Sequence, residues 1–126
     1  MTTKQVNKMG FGSLRVNKVS DDMAEVFLYG DIGSWGDGLS ADDFARELKS
    51  LKVTDITARI NSGGGSVFEG QAIYNSLVNH PAKVNVVIDG IAASIASVIA
   101  MAGDNISITE GSHIMVHKPW SMAMGD

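Results

Sequence analysis

Short apolar stretches, separated by polar segments that contain glycine, predict alternating strands and helices along most of the chain. The predicted strands cover residues 24–29, 55–60, 84–88, 105–109 and 112–116. The predicted helices begin at three serines that suit the N-cap position, namely Ser40, Ser66 and Ser94. Because strands alternate with helices, we expect an α/β fold whose mainly parallel sheet is connected by right-handed crossovers.

The sequence predicts one domain preceded by a short arm. Residues 1–22 are polar and lack clear periodicity, so we expect this arm to be mobile or dependent on a partner. Residues 23–126 contain all of the predicted strands and helices. With 126 residues, of which 44% are apolar, the chain is long enough to bury a single core.

Charge and cysteine content exclude several functional classes. The net charge of -4, without a lysine and arginine cluster, argues against a nucleic-acid partner or an anionic membrane surface. The absence of cysteine removes disulfides, thiolate metal sites and a cysteine nucleophile. The sequence shows no N-terminal signal and no apolar run of about 18 residues, which is typical of a cytoplasmic protein.

Ser94 is the first candidate for chemistry. Residues 84–94 predict a buried strand, a turn of small residues and then a serine at the start of a helix. A hydroxyl at such a corner is held away from the sheet edge, and the N–H groups of the first helical turn point towards an oxyanion formed beside it. Ser94 is therefore a candidate nucleophile. The alternative is an ordinary N-cap of a close-packed helix. Ser97, one turn later, is expected to be a packing residue.

A second candidate is the glycine-rich segment from Asn61 to Ser66 (NSGGGS), which follows a strand and precedes a helix. Glycines adopt positive φ readily and aim N–H groups into a shared concavity, which suits an oxyanion, a phosphate or an extended peptide. The segment has neither the dinucleotide-binding spacing nor the Lys-Ser/Thr ending of a phosphate-binding loop. A tight turn without a ligand is the alternative.

The chain contains three histidines. His80 ends a predicted helix, where a capping or charge-balancing role is usual. His113 and His117 lie two positions on either side of Met115 and share one face if the strand continues that far. Spacing alone does not choose between these two as a catalytic base.

Three segments in this order resemble the proteolytic subunit of the Clp protease and, within that family, the phage and prophage head-maturation peptidases. They are INSGGG at residues 60–65, DGIAAS at 89–94 and IMVHKP at 114–119. The resemblance runs from about Ala24 to the end of the sequence. It implies the repeated ββα superhelix, with a mainly parallel sheet, that Clp proteases share with crotonases.

The resemblance also implies a role for each matching residue. Ser94 is the nucleophile of a serine endopeptidase, His117 is the base, and the N–H groups of Gly65 and Ile95 are the oxyanion-hole donors. No metal or organic cofactor is required. The substrate is an extended polypeptide whose backbone pairs with the glycine-rich segment, at Ser62, Gly63, Gly64 and Ser66.

Family resemblance further implies partners. Clp proteases form homo-oligomeric rings that enclose the active sites, and they work with an ATP-driven unfoldase. The phage branch implies an enzyme that trims capsid or scaffold proteins during head assembly in the bacterial host.

Two departures from the family pattern matter. Gly63 replaces the usual proline, and the family's third catalytic residue, an aspartate, lies farther past the histidine than Asp126. The C-terminal part of the family fold, including the helical segment that joins two rings, lies beyond the end of this sequence, so we expect either a truncated or processed form or a part of a longer protein. Loss of the acid from a complete triad lowers turnover by about four orders of magnitude, which leaves open whether the 126-residue form is active.

Other readings keep the fold and change the function. A signal-peptide-peptidase-like hydrolase would pair the serine with Lys83 or Lys118, and a crotonase-type enzyme would use the glycine-backed oxyanion hole on an acyl-CoA thioester. A non-catalytic assembly subunit would use Ser94 only as a cap and the glycines only as a turn.

Overall fold

The computed structural model describes residues 2–7, 12–33 and 38–116. Three helices are found in this part of the chain, α1 (Ala41–Lys49), α2 (Val67–Asn79) and α3 (Ile95–Ala100). The strands in the described ranges are β1 (Thr2–Asn7), β2 (Gly12–Lys18), β3 (Met23–Gly30), β4 (Asp55–Ser62), β5 (Lys83–Ala93), β6 (Asn105–Ile108) and β7 (His113–Met115).

All of these strands belong to one mixed sheet in the order β1-β2-β3-β4-β5-β6. The first three are antiparallel neighbours, and β3, β4, β5 and β6 pair in parallel. β7 also pairs in parallel with β5, beyond the end of β6. The predicted α/β fold with a mainly parallel sheet is therefore confirmed.

The helices pack on one face of the sheet. The parallel strands are added in sequence order at one edge, so right-handed crossovers place every connecting helix on the same side. Alternate residues of the central strands are buried beneath these helices. The core includes the strand residues Val26, Leu28, Ile56, Ile60, Val86 and Ile88, and the helical residues Phe44, Leu48, Ile73, Leu77 and Ile99.

Serine caps set the start of α1 and α2 as the sequence predicted. The side chain of Ser40 accepts a hydrogen bond from the N–H of Asp43 at 3.3 Å, and Ser66 accepts one from Glu69 at 3.2 Å. The Glu69 carboxylate also accepts the N–H of Ala41 at 2.8 Å. Glu69 therefore ties the first turn of α2 to the first turn of α1.

The N-terminal region differs from its expected form. The sequence pattern predicted no strand before Ala24, whereas β1 and β2 form an antiparallel hairpin whose second strand pairs with β3 along its whole length. Val16 is 6% exposed and joins the core. Mostly polar strands are missed because pairing with a neighbour, rather than intrinsic preference, determines them. A domain boundary after residue 22 stays a prediction.

Candidate active site

Ser94 lies at the sharp corner between β5 and α3. Its backbone has φ 58° and ψ -129°, and it is the only residue other than glycine with positive φ in the described ranges. Such a conformation costs about 1–3 kcal/mol and persists only where neighbours hold it. A serine on a strained strand-to-helix turn is the geometry of a nucleophile elbow.

Neighbouring residues hold this corner from two sides. The N–H of Ser94 donates to the carbonyl oxygen of Met115 in β7 at 3.1 Å. The carbonyl oxygen of Ser94 accepts the Ser97 hydroxyl at 2.6 Å and the Ser97 N–H at 2.9 Å. Ser97 is 3% exposed, so its predicted packing role is confirmed, with a hydrogen bond in addition.

The side chain of Ser94 is not an N-cap. It makes no capping hydrogen bond to α3, so the alternative of an ordinary cap is wrong. The residue is partly exposed. The Ser94 hydroxyl therefore has no structural role in capping α3.

The glycine-rich segment lies directly against Ser94. A Cβ built on Gly64 would lie 2.8 Å from the Cβ of Ser94 and 3.3 Å from its Oγ, so only glycine fits here. The buried Ser62 side chain accepts the N–H of Gly64 at 3.0 Å and thereby closes the turn. Gly64 and Gly65 have φ of 107° and 149°. The sequence left open whether this segment is a tight turn or a close approach of backbone to another group, and the structure shows both.

Ile32 fixes the orientation of Gly65. The N–H of Ile32 donates to the Gly64 carbonyl at 3.0 Å, and the Ser66 N–H donates to the Ile32 carbonyl at 2.8 Å. In an extended segment, backbone groups point alternately to the two sides of the chain. The Gly64 carbonyl and the Ser66 N–H, which flank Gly65, both point towards Ile32. The N–H and carbonyl of Gly65 therefore point away from Ile32.

Ile95 is the first residue of α3, where N–H groups lack a partner within the helix. Gly70 in α2 lets this residue come close, because a Cβ on Gly70 would lie 2.3 Å from Cγ1 of Ile95. Contact between α2 and α3 therefore sets where α3 begins. This places the first N–H groups of α3 next to the Ser94 corner.

The predicted base, His117, lies outside the described residues. His113 is exposed in β7 and stands opposite Ile91 in β5. Because Ile91 precedes Ser94 by three residues, His113 lies about three strand positions, or about 10 Å, before the level of Ser94. Met115, two residues before His117 in the sequence, makes the backbone contact to Ser94.

Lys83 and His80 lie at the other end of the sheet. Lys83 begins β5, and Ser94 follows it by 11 positions of about 3.3 Å; the irregular pairing with β4 takes up two of these positions, so the two residues lie roughly 30 Å apart. Lys83 is thus excluded as the base of a serine–lysine pair, and Lys118 lies outside the described residues. His80 accepts the Ala82 N–H at Nδ1, so its Nε2 carries the proton and donates to the Leu51 carbonyl. His80 is a structural residue at the end of α2.

A charged cluster occupies the helix-free face of the sheet beside β5. Arg59 donates to both carboxylate oxygens of Asp89, from Nε at 2.9 Å and from Nη2 at 2.8 Å. The Tyr29 hydroxyl donates to the same carboxylate at 2.6 Å, and Glu25 lies 3.6 Å from Nη1 of Arg59. This cluster joins β3, β4 and β5 through their side chains.

Hydrogen bonding determines the protonation state of the cluster. Burial raises the pKa of Asp89, but the hydrogen bonds from Arg59 and Tyr29 outweigh it, so the pKa lies below the ordinary value for an aspartate. Burial, followed by the hydrogen bond to Asp89, raises the pKa of Tyr29 above its ordinary value. Asp89 is thus charged and Tyr29 neutral at pH 7.

The structure brings together most of the residues singled out from the sequence. Ser94, Gly64 and Gly65 meet at the corner, with Ile95 beside them. Gly63 is exposed, while the side chains of Ser62 and Ser66 are used in local hydrogen bonds, so contact of this segment with a substrate stays a prediction.

Several contributors were missed from the sequence. Gly70 had a signal in the sequence, because a glycine inside a predicted helix weakens the helix and usually marks close packing. Ile32 carries no local signal, because its part comes from pairing with a segment about thirty residues away.

Among the described residues, no helix is both long enough and apolar enough to span a membrane.

Fold and site together define a class, namely the α/β proteins in which a glycine-rich turn lies against a strand-to-helix corner. A family model described as Clp protease matches residues 16–126. The chain therefore belongs to the Clp protease family.

Individual relatives agree with this assignment. The ATP-dependent Clp protease proteolytic subunit of Bacteroides fragilis is 40% identical over 100 residues, which cover 75% of this chain and 48% of the relative. The structure of ClpP1 from Listeria monocytogenes matches with a TM-score of 0.67 and 31% identity, over 75% of this chain and 56% of that chain. An enoyl-CoA hydratase from Mycobacterium avium matches with a TM-score of 0.60 at 20% identity, over 81% of this chain and 46% of that chain, and shows the shared fold alone.

The matched relatives are longer than this chain. The chain spans about half the length, or less, of the curated relatives it matches. The match to solved Clp structures is partial in the same way.

Proposed function

We propose that this chain carries the nucleophile and the oxyanion hole of a serine endopeptidase of the Clp type. The observation that carries the proposal is the strained backbone of Ser94, which holds an uncapped serine against Gly64. Strain of this kind persists where surrounding structure enforces it and is concentrated at functional sites. Family membership supports the same chemistry independently.

In the proposed reaction, the Ser94 oxygen attacks a peptide carbonyl carbon while His117 accepts the hydroxyl proton. The N–H groups of Gly65 and Ile95 stabilise the oxyanion that forms. His117 then gives its proton to the leaving amine as the peptide C–N bond breaks, and water hydrolyses the resulting ester on Ser94. The donors suit this role because Gly65 points away from Ile32 and Ile95 begins a helix.

His117 is preferred to His113 as the base. His117 follows Met115 by two residues, which span at most about 7 Å of chain, and Met115 is itself hydrogen bonded to Ser94. His113 stands opposite Ile91, three residues before Ser94. The family motif IMVHKP supports the same choice.

The proposed substrate is an extended polypeptide. Gly63 and Gly65 are exposed on either side of Gly64, which lies against Ser94, and the carbonyl and N–H of Gly65 are turned away from Ile32. A peptide that adds itself as a strand would pair with such groups. By membership of the Clp family, we further propose assembly into a homo-oligomeric ring, with or without an ATP-driven unfoldase.

The finer proposal is a phage or prophage maturation protease acting on capsid or scaffold protein. It rests on the resemblance of the three segments at residues 60–65, 89–94 and 114–119 to that branch. Co-expression of the intact gene product with phage capsid and scaffold proteins should give shortened products that disappear with Ser94→Ala. Unchanged products with the active protein would count against this branch.

A fluorophosphonate probe tests the catalytic proposal on the intact, assembled gene product. Labelling should occur in the wild type and be lost in Ser94→Ala. Ser107→Ala, a change of an exposed serine in β6, is the matched control and should label normally. Absence of labelling in a folded, assembled wild type would favour a non-catalytic assembly subunit.

A further inference from the structure

β5 contains a bulge next to the candidate active site. Ile60 of β4 stands opposite Ile88 of β5, but Ser62 stands opposite Ala92, so two steps along β4 correspond to four along β5. With uninterrupted pairing, Ser62 would stand opposite Gly90, and Ser94 would lie two positions, or about 7 Å, farther along the strand. The bulge therefore brings Ser94 level with the glycine-rich turn.

Two β4 side chains hold this bulge. The side-chain oxygen of Asn61 accepts the N–H of Ile91 at 3.1 Å. It also lies against Gly90, where an added Cβ would be 2.5 Å from Oδ1. Two residues earlier, Arg59 binds the carboxylate of Asp89 with two hydrogen bonds. The start and the end of the bulge are thus each fixed to β4.

The two contacts differ in what they fix. Arg59 binds a side chain, which can follow small backbone shifts, and it shares that carboxylate with Tyr29. Asn61 binds a main-chain N–H, so it fixes the backbone itself three residues before Ser94. Bulges beside active sites commonly serve to re-aim a side chain.

We propose that Asn61 is a positioning residue, which holds the bulge of β5 so that Ser94 stays aligned with the Gly64–Gly65 turn. The inference rests on the proposed function for its catalytic meaning. Its structural content, that the amide of Asn61 sets the backbone around Ser94, is tested separately from activity.

Two measurements are made on the intact gene product with the variants Asn61→Ala and Asn61→Asp. Aspartate keeps an oxygen at Oδ1 with nearly the same shape, so it is the conservative rescue. Asn85→Ala is the matched control, because Asn85 lies in β5 and its side chain binds only the exposed Asn105 side chain among the described contacts. The measurements are the rate of fluorophosphonate labelling and the hydrogen exchange of the Ser94 amide.

For Asn61→Ala we expect labelling to slow by about 10- to 100-fold, as a displacement of about 1 Å can cause. Exchange of the Ser94 amide should become faster, because its bond to Met115 depends on the same alignment. Asn61→Asp should restore both values, and Asn85→Ala should change neither. If Asn61→Ala only lowered the stability of the fold, amide exchange would become faster throughout the sheet and not at Ser94 in particular.

Wild-type exchange at Ser94 in a folded Asn61→Ala would overturn the inference. If Asn61→Ala does not fold, Asn61→Ser takes its place, since it shortens the reach of the oxygen by one bond. If the wild type is never labelled, the proposed function fails, and exchange at Ser94 alone decides the positioning role.

Discussion

Gly64 faces Ser94 so closely that a methyl group on Gly64 would lie 2.8 Å from the Cβ of Ser94. Side-chain carbons do not approach to this distance without a shift of the backbone. The contact makes the identity of residue 64 a direct test of the site.

Gly64→Ala should abolish fluorophosphonate labelling, or slow it by about 100-fold or more, because the added methyl displaces Ser94. The change also places alanine at φ 107°, so we expect a loss of about 1–3 kcal/mol in unfolding free energy. Labelling is therefore compared at a temperature where circular dichroism shows both proteins folded. Gly111→Ala is the control, since it also places alanine at a positive φ, 86°, while nothing lies within 4 Å of its Cβ position. Equal labelling of the two variants would contradict the proposed site.

The strain at Ser94 predicts different unfolding free energies for two variants that both remove its hydroxyl. Glycine adopts positive φ without steric strain, while alanine keeps the cost of about 1–3 kcal/mol. Glycine also raises the entropy of the unfolded chain, which offsets about 0.4–1 kcal/mol. Ser94→Gly should therefore unfold at higher urea concentration than Ser94→Ala, by about 1 kcal/mol at equal m-value. An alanine variant of equal or greater stability would show that the corner is unstrained.

Ser97→Ala removes a buried hydroxyl that donates to the Ser94 carbonyl at 2.6 Å. We expect a loss of about 1 kcal/mol in unfolding free energy. Labelling should persist at Ser94 but with a lower rate, because one of the contacts that hold its backbone is gone. The same two measurements on Ser107→Ala should match the wild type. Complete loss of labelling in Ser97→Ala would instead indicate that Ser97 takes part in the chemistry.

Asp89→Asn should weaken the protein in a pH-dependent way. Because the native pKa of Asp89 is lowered, its charge stabilises the fold above the unfolded-state pKa of about 3.9, and this stability is lost as the pH falls through the native pKa. Wild type should exceed the variant by about 1–2 kcal/mol at pH 7. The difference should shrink as the pH falls below about 4.

Urea titrations of both proteins from neutral to acid pH measure this difference. Asp21→Asn, on the exposed turn before β3, shows the effect of removing one charge outside the cluster. A constant gap between wild type and Asp89→Asn at every pH would contradict the role of the Arg59 and Tyr29 hydrogen bonds.

Local sequence signals predicted the elements that depend on local chemistry. Serine caps located the starts of α1 and α2, and a short apolar run located β5 up to Ile88. The run is broken by Asp89 and Gly90, so the continuation of β5 to Ala93 was missed. That continuation depends on contacts from β4, which no window of the β5 sequence contains.

The same limit applies to the candidate site. Small residues followed by serine indicated the corner, and consecutive glycines indicated a close approach of backbone. Two partners that fix their geometry, Ile32 and Met115, come from other segments, and Asn61 acts from the glycine-rich segment on β5, thirty residues later. Their contribution depends on sheet register, which is set by the whole fold.

The bond between Ser94 and Met115 has a consequence for synthesis of the chain on the ribosome. Its acceptor is made 21 residues after its donor, and it belongs to the last strand of the described chain. A nascent chain that has passed residue 94 still lacks this restraint, and a strained serine relaxes when its neighbours do not hold it. We therefore expect the corner at Ser94 to take its native backbone only after residue 115 has been made and β7 has paired with β5.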